Sequence, residues 1–188
     1  AARLGPSADL LLNNHDGHVM PATYAVVWAI QEISGLNYGL VAATMVIGEV
    51  LLIVAAVRAF TTLLGRGVQT VVALAVFLLS PIVMPGLTWW SAALTLVPLI
   101  TCGLFATVTH ARYLRTGSRA AMFTTFGLVG ASLLFFEKSL LIVVWLFLVT
   151  VLVDADRSFW TACRRALRVR WRLWSGWFAF IVVYLIAF

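Results

Sequence analysis

Long apolar runs separated by short polar breaks, many of them basic, set the pattern of this chain. Residues 1–20 depart from it: they are polar and carry the turn-forming pairs Gly5-Pro6, Asn13-Asn14 and Asp16-Gly17. Pro21 suits the first turn of a helix, where an N–H would have no intrahelical acceptor. Over 21–34, Tyr24, Trp28, Ile30 and Ile33 are apolar while Gln31, Glu32 and Ser34 are polar. That stretch is too short to cross a bilayer and is rich in aromatics, so the pattern predicts a helix lying at the membrane interface, ended by Gly35 and Asn37. Apolar spans are predicted over 38–61, 68–83, 91–110, 120–136 and 139–153, with Pro98 kinking the third. The breaks between them are Gly65-Arg66-Gly67, an uncharged turn over 86–90 with Trp89 and Trp90, a basic turn around Thr116-Gly117, and Glu137-Lys138. Residues 154–174 interleave six arginines with aromatic and aliphatic residues, and 175–188 read as an incomplete sixth span. The expected fold is all-α: a polytopic transmembrane helix bundle with an extracytoplasmic interfacial helix. Its parts are an extracytoplasmic loop (1–20), the interfacial helix (21–36), a five-span bundle (37–153), a basic cytoplasmic interfacial segment (154–174) and the truncated span (175–188).

Composition supports the membrane reading. Only 11% of the 188 residues are charged and 63% are hydrophobic, with a mean hydropathy of +1.03; a soluble domain carries about 25% charged residues. The net charge of +6 is therefore not a nucleic-acid signal. Arg58 and Arg66, then Arg112, Arg115 and Arg119, then Arg157, Arg164, Arg165, Arg168, Arg170 and Arg172 occupy alternate connections. Placing these in the cytoplasm puts 11 of the 13 basic residues inside and leaves only Arg3 and Lys138 outside. The loop around Asp16, the Trp89-Trp90 turn and Glu137-Lys138 then share the outer face of the plasma membrane. The arginines from Arg157 to Arg172 read as an anchor on anionic lipid, with no nucleic-acid partner. An outside amino end implies a further helix before residue 1, and no signal peptide is visible. Cys102 and Cys163 lie far apart in this threading and are expected as free thiols.

The candidate chemistry gathers at Asn13-Asn14-His15-Asp16-Gly17-His18. Asp16, flanked by histidines, has the residue type for a base or a cation ligand; an Asp-Gly turn or a helix cap is the plainer alternative. His15 and His18 have spacing compatible with one metal ion, with Glu137 as a further ligand in space, and equally with hydrogen bonding to a phosphate or sugar hydroxyl. A divalent cation is compatible with the site and not required by it, and no metal site is assigned. Glu137 and Lys138, adjacent in sequence, do not face each other on a helix. Either both reach to the interface, or Lys138 meets an anionic head group while Glu137 meets a polar acceptor. Glu49, inside the first span, is costly there unless neutral, paired or water-lined.

The run Asn14-His15-Asp16-Gly17-His18-Val19-Met20-Pro21 resembles the first outer loop of actinobacterial multi-pass membrane proteins of the GT-C glycosyltransferase class. So do Leu87-Thr88-Trp89-Trp90-Ser91, the loop from His110 to Gly117, and Phe135-Phe136-Glu137-Lys138-Ser139-Leu140-Leu141. The similarity covers most of residues 10–155 and rests on the order of these short motifs. It implies transfer of a sugar from a polyprenyl-phosphate donor to an extracytoplasmic acceptor. Asp16 matches the acid that activates the acceptor hydroxyl, with His15 or His18 assisting, and Lys138 matches the donor phosphate. Glu137, Trp89 and Trp90 are expected at the substrate. The chain differs in having one acid where many relatives have an adjacent pair, and in lacking a carboxy-terminal half. The alternative from a different class is a non-catalytic membrane scaffold or a transporter. A transporter calls for buried polar groups along several spans and for internal symmetry, which is not evident here.

Overall fold

The computed structural model describes residues 8–15, 18–35, 37–81, 83–153 and 158–187, with residues 8, 9, 14, 15 and 87 described by their backbone alone. Its first elements are short. α1 (Ala8–Leu11) leads to a two-stranded antiparallel pair, β1 (Asn14–His15) and β2 (His18–Val19), which sets His15 opposite His18. α2 (Pro21–Ser34) carries Pro21 in its first turn and ends at Gly35, whose φ of 60° is the left-handed conformation that favours glycine at a helix end.

The long helices follow from uninterrupted apolar sequence. α3 (Tyr38–Leu64) runs for 27 residues, with the Asn37 side chain accepting from the Gly39 N–H at its start. α4 (Val68–Leu78) stops after 11 residues and α5 (Met84–Thr88) after five. α6 (Trp90–Thr116) again has 27 residues and continues through Pro98. α7 (Arg119–Leu133), a 3-10 turn over Glu137–Ser139, α8 (Leu140–Val153), α9 (Phe159–Val169) and α10 (Trp171–Ala187) complete the described chain. The fold is all-α. Among the described residues, α3 and α6 are each long and apolar enough to cross a membrane, and α9 with α10 adds a third crossing if the bent pair is one span.

Three boundaries differ from the pattern of apolar residues. The span expected over 91–110 runs on as α6 to Thr116, because the stretch from His110, though polar and basic, holds no helix breaker before Gly117. The two others change more. The run expected over 68–83 is helical only to Leu78. Proline disfavours helical geometry in the residue before it, so Pro81 stops the run after α4, whereas Pro85 sits in the first turn of the separate short α5. At 1.5 Å per residue α4 is about 16 Å long, too short to cross a bilayer core of roughly 30 Å by itself. At the other end α10 begins at Trp171, inside the basic segment, and meets α9 at 82°.

α6 sits at the centre, packing on α3, α5, α7 and α8. α3 buries Leu52 and three alanines, Ala55, Ala56 and Ala59, so its backbone approaches closely, as small residues permit between helices in lipid. Gly48 of α3 lies so near α6 that a Cβ there would stand 3.1 Å from Val97 Cγ1. On the other flank Val129, Leu133, Ile142, Val143, Leu146 and Trp177 form one cluster, with Phe126 stacked on Trp177 at 3.9 Å between ring centroids.

Polar bonds tie α6 to these neighbours. His110 Nε2 lies 2.8 Å from Thr150 Oγ1 of α8, and that hydroxyl donates to Leu146 O at 2.9 Å. A hydroxyl has one proton, so with that proton on Leu146 O, His110 Nε2–H is the donor to Thr150. Trp145 Nε1 donates to Thr107 Oγ1 at 2.9 Å, and Thr109 and Thr125 share a 2.8 Å bond between α6 and α7. Thr150→Val should leave the fully buried His110 ring N–H unpaired and lower stability by about 1–3 kcal/mol, whereas Thr150→Ser should lose much less. Thermal unfolding of the purified chain in detergent measures this, and equal midpoints for the three proteins would remove the bond from the account of stability.

Candidate functional site

At one end of the bundle three separate stretches converge. The strand pair delivers His18, α2 delivers its first turn, and the link from α7 to α8 delivers 134–139. The Ala22 N–H donates to Leu134 O at 2.9 Å, which docks the start of α2 on that link. Thr23, buried, places its hydroxyl 3.4 Å from both Leu94 O of α6 and Phe135 O. These bonds to backbone oxygens hold the first turn of α2 over the start of α6 and the end of α7.

The docking brings His18 against Glu137. His18 Nδ1 and Glu137 Oε1 are 2.5 Å apart, with side chains 37% and 30% exposed. The contact lies off the line of an aligned hydrogen bond, and both His18 Nδ1 and Glu137 Oε2 are buried atoms without a hydrogen-bond partner. It is an ion pair whenever His18 is protonated. The His18 ring meets Phe136 edge-on at 5.5 Å, and Lys138 Nζ lies 4.9 Å from the same ring. Phe136 is thus the apolar spacer on which an imidazole and an ammonium are displayed together. Ser139, fully buried, places an unpartnered hydroxyl in the next position. From α10, Tyr184 comes within electrostatic reach of Glu137.

Beside this cluster an apolar groove of about 330 Å³ runs between α2, α3 and α6. Val26, Thr44, Gly48, Trp90, Leu94 and Phe135 are among the residues that line it. Trp90 Nε1 reaches Thr44 Oγ1 at 3.4 Å, a long bond across the groove. Trp89 is 67% exposed and takes no part in the lining. Phe135, two residues before Glu137, joins the groove to the polar cluster. Gly48 and Gly86 both lie against Val97, so absent side chains help keep the helices beside the groove close together.

Of the side chains singled out from sequence, His18, Glu137 and Lys138 come together, and Trp90 borders them through the groove. Trp89 stands apart on the surface. Asp16 lies outside the described residues, and the His15 side chain is not described; its backbone pairs with His18. Among the described residues no three His, Cys, Asp or Glu side chains gather to hold a metal. Both cysteines are free. Glu49 is half-buried on α3.

Sequence reasoning quoted Phe136 and Ser139 only as members of the motif around Glu137-Lys138, without a role, and did not single out Thr23 or Tyr184. The signal for Tyr184 was present, as a polar aromatic near the end of an apolar run; nothing in local sequence marks Thr23. The buried polar groups expected of a transporter do exist in α6, α7 and α8. His110, Thr107, Thr109, Thr125 and Thr150 are nevertheless bonded to one another, to Trp145 or to backbone, the pattern of polar contacts that join helices in lipid.

The His18–Glu137 contact is only partly shielded, so its contribution is that of a solvent-screened pair, roughly 0.2–1 kcal/mol. Glu137→Gln should therefore speed hydrogen exchange at the backbone amides of 18 and 19, by up to about fivefold, leaving those of α6 unchanged. No change at 18 and 19 would show that backbone docking through Ala22 and Thr23 holds the hairpin unaided.

No protein-family model matches the chain, and no curated protein or solved structure is similar to it.

Proposed function

We propose that this chain is a membrane-embedded glycosyltransferase of GT-C type, transferring a sugar from a polyprenyl-phosphate donor to an extracytoplasmic acceptor. The observation that carries this reading is the contact of His18 with Glu137, beside Lys138 and at the edge of an apolar groove. A lipid-linked donor needs that combination: an apolar slot for its chain, a cation for its phosphate, and a base near the sugar.

In the proposed architecture α3, α6 and α10 cross the membrane and the shorter α4, α5, α7 and α8 complete a polytopic bundle. α2 rests on the outer interface. α9 rests on the inner one, holding Ala162 and Ala166 against Val151 of α8. Arg164, Arg165 and Arg168 are exposed on it, facing anionic lipid head groups. The 82° turn into α10 suits a helix lying flat beside one standing upright.

The chemistry is a single displacement. Asp16 takes the proton of the acceptor hydroxyl, whose oxygen attacks the anomeric carbon from the face opposite the phosphate. The bond between that carbon and the phosphate oxygen breaks, and the electron pair leaves with the polyprenyl phosphate. Lys138 faces the negative charge of that group. A carboxylate beside one imidazole nitrogen makes the other nitrogen a better acceptor, so Glu137 turns His18 into an orienting group for the acceptor or a relay for its proton, with His15 in the same role. Trp90 walls the groove taken by the first isoprene units, and Trp89 meets the surrounding interface.

Asp16→Asn keeps size while removing the basic lone pair, and should lower transfer by about 10²–10⁴-fold in a protein that still inserts. Lys138→Met should mainly raise the KM for the donor. The assay is transfer from a polyprenyl-phosphate sugar by reconstituted protein, and undiminished transfer by Asp16→Asn would remove Asp16 from the mechanism.

Orientation has its own test. On a background lacking Cys102 and Cys163, an impermeant thiol reagent on intact cells should modify Asn13→Cys and Thr88→Cys but not Arg66→Cys or Thr116→Cys. The reverse pattern would put the site on the cytoplasmic face and exclude the proposed donor.

A further inference from the structure

A second apolar groove, of about 430 Å³, lies between α3 and α8 with α6 as its floor. It has no part in the chemistry above: it occupies the opposite half of the bundle, toward the ends of α3 and α8 that precede the basic connections. Its floor includes Leu104 and Thr107, and its walls include Leu63 of α3 with Trp145 and Val149 of α8. The one floor hydroxyl, on Thr107, is already engaged by Trp145 Nε1 at 2.9 Å. At the mouth Leu64, Leu152 and Val153 are 48%, 63% and 52% exposed, so the groove opens sideways, toward the apolar surround.

Three features select its occupant. The first is depth. Leu104, Thr107, Ala111 and Arg115 stand at i, i+3, i+7 and i+11 on α6, one stripe of the helix. Eleven residues rise about 16 Å, close to half of a hydrocarbon core of roughly 30 Å. The stripe is one leaflet deep. The second is charge. The stripe ends at the exposed Arg115, whose Nε donates back to Ala111 O at 3.3 Å, so the side chain folds back along α6 in the direction of the floor residue Thr107. The third is the character of the walls. Contacts between helices in lipid favour small residues, as α3 shows with Ala55, Ala56 and Ala59. The walls here are Phe60, Leu63, Trp145 and Leu152, large side chains that leave an irregular slot suited to a flexible chain.

We infer that this groove binds a phospholipid of the leaflet on the basic side: one acyl chain lies along Leu104 and Thr107, and an anionic head group meets Arg115. The inference rests on α3 and α6 crossing the membrane, which the thiol labelling above tests separately. It does not depend on any transfer activity.

The full chain, reconstituted in vesicles, is irradiated with a phospholipid that carries a diazirine near the end of one acyl chain. One preparation uses phosphatidylglycerol and the other phosphatidylcholine, and labelled residues are mapped by peptide mass spectrometry. The expected result is excess label at Leu104 and Trp145 over Val50 and Val144, which are apolar and exposed elsewhere on the surface. That excess should favour the anionic lipid by about fivefold, the effect of one arginine near the surface, and Arg115→Gln should abolish this preference while leaving groove labelling by phosphatidylcholine in place. Val149→Trp should remove the excess by filling the slot. Leu63→Trp, on a more exposed wall, provides a second blocker should Val149→Trp fail to fold. Even labelling of all exposed apolar positions would overturn the proposal, as would an excess that survives both blockers. Chain-to-chain crosslinks at the groove in place of lipid adducts would assign it to a second copy and overturn it equally.

Discussion

The arrangement depends on α6 and on the polar bonds it makes in an apolar setting. Helices surrounded by lipid gain little from excluding lipid, because its tails are as apolar as leucine; they associate through close packing and hydrogen bonds. α6 uses both means on different faces. Toward α3 it meets Leu52, three alanines and Gly48, so the backbones come close. Toward α7 and α8 it meets larger side chains, and Thr109, Thr107 and His110 bond to Thr125, Trp145 and Thr150. The threonine hydroxyls keep bonds to helix carbonyls, so the group left buried and unpaired by losing a partner is the His110 ring N–H, where that loss costs more than the bond contributes.

The same helix determines what its two ends can do. At the end near Trp90, α2 is laid across it by the Thr23 bond to Leu94 O and is tied to the 134–139 link by bonds to Leu134 O and Phe135 O. The polar cluster of His18, Glu137 and Lys138 then stands beside a groove instead of on a flat surface. At the other end α3 and α8 flank α6 and leave a slot between them. α6 thus contributes to an apolar groove at each end, one shared with α2 and α3 and the other with α3 and α8.

The proposed chemistry makes few demands on such a scaffold. An orienting imidazole, a cation and an apolar slot must be held together, and here each comes from a different part of the chain. His18 arrives from before the first long helix, Lys138 from between α7 and α8, and Trp90 from the start of α6. The ring of Phe136 supports two of the three, since His18 and Lys138 both pack against it. Backbone docking through Ala22 and Thr23 fixes the hairpin more firmly than the partly exposed ion pair can, because a contact open to water is screened.

The amino-acid sequence by itself determined the all-α character, the positions of α2 and α3, the start of α6, and the two free thiols. Apolar runs and their breakers are local properties: Pro21 and Gly35 bound α2 whatever it packs against, and the residues from 38 to 64 contain no helix breaker stronger than glycine. Local sequence also held the signal that divided the second apolar run, since Pro81 and Pro85 were visible, but hydropathy alone runs straight across them. The bend at Arg170 was not legible, because an arginine-rich amphipathic stretch and the apolar helix after it are both helical by period. Only the tertiary structure decided that His18 meets Glu137, 119 positions away in sequence, and that His110 faces Thr150 instead of a loop. Contacts of that kind depend on how helices rotate about their axes and which faces they bury. With nearly every position on these helices apolar, hydrophobic periodicity does not specify that rotation; threonine hydroxyls, small residues and one histidine do, and only when their partners are in place.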